Sequence, residues 1–155
     1  ATARFRYWSV VTALLLYGQL ILGGLVRHKD FTLGARGHIL GAFVVVAAVA
    51  WLVKLALDVP SEERQGMRAV GILVALVAVQ LILGVETWLS RFPAAEMLRQ
   101  VEPFPGEAGV MIRSAHYLVG ALTFATSVAV LLLAHRQPSL AKETPVAAGQ
   151  LEGAA

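Results

Sequence analysis

The pentapeptide Gln19-Leu20-Ile21-Leu22-Gly23 recurs as Gln80-Leu81-Ile82-Leu83-Gly84. Each copy closes an apolar stretch, and each is followed by a histidine that opens the next one. The first leads into Gly37-His38-Ile39-Leu40-Gly41 and the second into Ser114-Ala115-His116-Tyr117-Leu118-Val119-Gly120. The pattern reads as a helical hairpin used twice, with one intramembrane histidine in each use. Two histidines related in this way point to one shared metal, or one flat cofactor, between them.

Working outward, the charges avoid the same stretches. Tyr7 to Val26 carries none, Ile39 to Val53 none before Lys54, Ala69 to Val85 none before Glu86, and Ser114 to Ala134 none besides His116, which can carry one. Each run approaches the ~20 residues that cross a ~30 Å hydrocarbon core, with Lys54 able to snorkel to the interface. Hydrophobic residues make up 57% of the 155 positions against 15% charged, a balance that disfavours a soluble domain. The expected fold is therefore an all-α integral membrane bundle of four transmembrane helices, built from two duplicated hairpins. The first apolar run is longer than a signal-peptide core and no A-x-A site closes it, so it reads as an anchor.

The chain has no cysteine, which leaves imidazole, carboxylate or backbone as metal ligands and removes thioether haem attachment. A net charge of +3 and a pI near 9.7 raise nucleic acid as a partner, but the basic residues sit at helix ends and in short loops. A lipid bilayer explains them better, and no nucleic-acid partner is expected.

Four spans put both termini on one side, with the Asp58 to Arg68 loop, and put Arg27 to Gly37 and Arg91 to Arg113 on the other. Lys and Arg number seven on the first side (Arg4, Arg6, Lys54, Arg64, Arg68, Arg136, Lys142) and six on the second (Arg27, Lys29, Arg36, Arg91, Arg99, Arg113). Setting aside Arg27, Arg36 and Arg113, which lie near the histidines, leaves seven against three and places the termini in the cytoplasm. The third connection holds Pro93, Pro103, Pro105 and Gly106, and within it Ala94 to Val101 has a helical pattern suited to the interface. Residues 1–136 are expected to form the bundle, and 137–155, with Pro138, Pro145 and many Ala and Gly, a disordered cytoplasmic tail. The copies run in the same direction, so the hairpins should be related by an axis along the membrane normal. Gln19 to His38 spans 19 residues and Gln80 to His116 spans 36, and the 17 extra fall in that third connection.

Helix I ends near Arg27-His28, helix II begins at Gly37-His38, helix III ends near Glu86-Thr87-Trp88 and helix IV begins at Arg113-Ser114-Ala115-His116. These polar groups gather towards the outer side. His38 and His116 are the candidate metal ligands, facing each other across the bundle, and a haem iron with two axial imidazoles fits that arrangement. Gly23, Gly24, Gly41, Gly84 and Gly120 are placed to let a planar macrocycle approach helix backbone. Arg27, Arg36 and Arg113 can meet its propionates. His28 is a further site residue or an interfacial anchor, His135 an interface group, and Glu86 a proton carrier or a plainly solvated end group. Gln19 and Gln80 suit interhelical hydrogen bonding. Trp8, Trp51 and Trp88 suit aromatic belts.

Taken in order, Gln19 to Arg27, His38 with Gly41, Gln80 to Gly84 with Thr87, and Arg113 to His116 with Gly120 resemble the amino-terminal four-helix half of heme A synthase, over about residues 7 to 136. The resemblance implies haem held between histidines of helices II and IV, here His38 and His116. Members of that family are eight-helix proteins that oxidise a methyl group of haem O, with half-length relatives. This chain has one bundle, lacks the family's cysteine pair in the first outer loop, and has Ala35 where an acid precedes the helix II histidine.

The leading expectation is thus a bis-histidine haem b protein of a bacterial or archaeal cell membrane, its haem towards the outer side. It would serve electron transfer or haem handling with other membrane subunits or as a homo-oligomer. Two alternatives stay open: a half-length heme A synthase acting as a homo-oligomer, and a pigment-binding or purely structural transmembrane subunit.

Overall fold

The computed structural model describes residues 2–26, 32–58, 67–89 and 107–136. They form four helices: α1 (Ala3–Leu25), α2 (Thr32–Leu57), α3 (Met67–Leu89) and α4 (Glu107–His135). All four are long and apolar enough to cross a membrane. Thr2 caps α1, its hydroxyl accepting from the Phe5 amide at 3.2 Å. Lys54 lies in the last turn of α2 and His135 in that of α4, where positive charge suits the exposed carbonyls.

Two starts differ from the sequence reading, which opened helices II and IV at Gly37 and Arg113. Both begin a turn or more earlier, so His38 lies six residues inside α2 and His116 nine inside α4. The charges at Arg36 and Arg113 mark where the apolar stretch ends, but nothing in an exposed arginine stops a helix, because a straight-chain residue propagates it well. The proposed interfacial helix at 94–101, the tail at 137–155, and Arg27, His28 and Asp30 lie outside the described residues.

Successive helices are antiparallel. Trp8 of α1 meets Trp51 of α2 with ring centroids 6.2 Å apart, while Gly23 at the other end of α1 faces His38. Tyr17 of α1 meets Phe124 of α4 at 5.8 Å. α1 packs along α2 and α4, and α3 along α4, whereas α2 and α3 approach each other at few positions.

The interior changes character along the bundle. Towards the chain termini it is closed by Phe5 and Leu16, by Val45, Val49, Leu52, Leu55 and Ala56, by Val70, Leu73 and Val77, and by Val130 and Ala134. Small polar residues bring α1 and α4 close: Ser9, Thr12, Thr123 and Ser127 are all buried. Three return their hydroxyls to their own helix at 2.7 Å, Ser9 to the Arg6 carbonyl, Thr123 to that of Val119 and Ser127 to that of Phe124. Towards the other end the interior holds Gln19, His38, Gln80 and His116, each half-buried.

Candidate functional site

In each hairpin a glutamine and a histidine exchange places against two glycines. Gly23 and Gly84 stand four residues, just over one helical turn, beyond Gln19 and Gln80 and so on nearly the same face. Each receives the histidine of the next helix. A Cβ on Gly23 would lie 3.2 Å from Cε1 of His38, and one on Gly84 3.3 Å from Cε1 of His116. In return, Gly41 receives Gln19, whose Oε1 stands 2.5 Å from where a Cβ would be, and Gly120 receives Gln80, whose Nε2 stands at 3.1 Å. All four glycines make room for these site side chains. Gly24, the fifth, has open space beside it.

The notches bring the two imidazoles together. The ring centroids of His38 and His116 are 6.3 Å apart and the planes stand at 84°. Nδ1 of each ring is buried without a hydrogen-bond partner, and so are the side-chain oxygens of Gln19 and Gln80. Buried polar atoms in a native interior are normally satisfied, so four of them, matched between the hairpins, mark a place where a further partner belongs. The Gln19 amide donates to the backbone carbonyl of His38 at 2.8 Å, as expected of an interhelical bond, whereas Nε2 of Gln80 lies 3.4 Å from Nε2 of His116.

The other candidates fall around this centre. Arg113 and Arg36 are both exposed. Arg113, three residues before His116, lies on roughly the same face of α4, while Arg36, two before His38, projects from the far side of α2. Glu86 is half-buried, two residues past Gly84 and so turned away from the notch. His135 is at the opposite end, its Nδ1 within 2.9 Å of the Leu131 carbonyl. Trp8 and Trp51 lie near that end too, with the Lys54 ammonium 4.9 Å above the Trp51 ring.

Two trans imidazoles on one metal, with bonds of ~2.0 Å and each nitrogen ~1.1 Å from its ring centre, have centroids about 6.2 Å apart. The observed separation matches that figure. Rings on opposite faces of a planar ligand can turn freely about the shared axis, so crossed planes are equally compatible. In separation and tilt the two rings resemble an imidazole pair that shares one metal. Among the described residues no group of three or more His, Cys, Asp or Glu gathers to hold a metal by itself. Comparisons of the chain with protein-family models, with curated proteins and with solved structures find no match.

Proposed function

We propose that this chain is a multi-pass membrane protein that binds haem b between His38 and His116 and serves electron transfer or haem handling. The observation that carries the reading is the 6.3 Å spacing of two half-buried imidazoles, one from each hairpin. The ordered motifs that resemble the amino-terminal half of heme A synthase support it independently.

In this reading His38 and His116 would hold the iron, and the notches at Gly23 and Gly84 keep both rings from turning away. A haem iron held by two histidines would supply one-electron chemistry. Arg113 stands on the face of α4 that suits a propionate. The aliphatic interior that includes Leu16 and Leu73 closes the bundle on the terminal side of the site. Ala35 brings no acid to the turn before His38, and no oxidation step is assigned. The bundle would lie with its termini in the cytoplasm and its histidines towards the outer side, alongside other membrane subunits or copies of itself.

The test is haem uptake by the purified full chain in detergent. A narrow reduced α band is expected, lost in both His38→Ala and His116→Ala. Absence of uptake by the wild type, or a band that survives either substitution, overturns the reading.

A further inference from the structure

Gln19 and Gln80 hold equal places in the repeated pentapeptide, yet their amides are used differently. Gln19 donates to the backbone of His38, at 2.8 Å, and leaves its ring alone. Gln80 brings its amide nitrogen to the ring, 3.4 Å from Nε2 of His116. With the Gln80 amide N–H as donor, the ring nitrogen it meets presents a lone pair, which assigns the proton of a neutral His116 ring to Nδ1. The lone pair on Nε2 is the one a metal would use.

We propose that Gln80 is a placeholder on His116: its amide N–H occupies the Nε2 lone pair until a metal or haem iron takes it, which makes His116 the restrained ligand and His38 the free one. The inference rests on the two-histidine reading and deepens it. Three features support a releasable hold. The contact is long for a hydrogen bond and correspondingly weak. The Gln80 oxygen is buried without a partner, so nothing anchors the amide from its other side. Gly120 leaves the space in which the amide sits, and Gly84 keeps the ring in place when the amide withdraws. A donated hydrogen bond and a metal compete for one electron pair, so Gln80 lowers the affinity of the site while keeping His116 aligned in its absence.

The prediction has opposite signs at the two glutamines. In haem titrations of the full chain in detergent, Gln80→Leu should bind about fivefold more tightly, the factor that one ordinary hydrogen bond is worth, and Gln19→Leu should not gain affinity. A second measurement needs no haem: nitrogen NMR of the metal-free wild type should find the His116 proton on Nδ1. Unchanged or weaker haem binding in Gln80→Leu, or a proton on Nε2, overturns the placeholder. Haem uptake by neither wild type nor Gln80→Leu overturns the haem reading instead, and the ring-proton measurement then still decides the contact.

Discussion

The two ends of this bundle are built from the same four helices but by different means. Around Leu52, Leu73 and Val130, which are at most 1% exposed, the interior is a dry aliphatic plug with small hydroxyl residues joining α1 and α4. Around His38 and His116 the interior is polar, and glycines give the room that its imidazoles and amides fill. One end is closed by aliphatic packing, and at the other the helices leave notches for polar side chains. The largest stability effect should therefore come from the plug. Leu73→Ala should cost roughly 2 kcal/mol, the low end for a buried leucine. His116→Ala, which abolishes the proposed haem site, should change the unfolding midpoint of the cofactor-free protein much less. Denaturant titration of both variants in the same detergent checks this, and a larger loss from His116→Ala would reverse the division of labour.

A smaller effect is expected at the notches. Alanine at Gly41 places a Cβ 2.5 Å from Oε1 of Gln19, and the glutamine must move. It is the end of a flexible side chain, so the cost is that of its bond to the His38 carbonyl, about 0.6–1 kcal/mol. That cost should disappear in a Gln19→Ala background, since a methyl then meets nothing. A double-mutant cycle measures the coupling, and additive costs would mean that Gly41 serves helix packing alone.

Much of this was legible from residues alone, and the limits have physical causes. The charge-free runs mark four helices long and apolar enough to cross a membrane, and the doubled Gln-to-Gly pentapeptide leads to His38 and His116, whose rings the structure brings to 6.3 Å. Helix starts were not legible, because an arginine that ends a hydrophobic run does not end a helix; α2 and α4 continue past Arg36 and Arg113. The glycines are legible as space but not by their neighbours, since a missing Cβ records that something approaches and not what, and the structure seats Gln19, His38, Gln80 and His116 on them. The partner glycines also differ in register, three residues after His38 but four after His116. That one-residue difference rotates the second notch by about 100° and accompanies the different reach of Gln80.

The smallest effect separates adjacent residues. Gly23 and Gly24 are neighbours in α1, and helix propensity alone predicts that alanine at either stabilises the chain by at most ~1 kcal/mol. At Gly24 nothing lies within 4 Å of the new methyl, so that gain should appear in full. At Gly23 the methyl would meet Cε1 of His38 at 3.2 Å, a contact that the imidazole must relieve by shifting a few tenths of an ångström. A shift of that size barely registers in unfolding but moves one of two ligands whose spacing matches a metal, so Gly23→Ala should weaken haem retention while Gly24→Ala leaves it unchanged. Equal retention in the two variants would show that the spacing of the rings is not set by the glycine notch, and would locate the control of the site in the α3 and α4 hairpin.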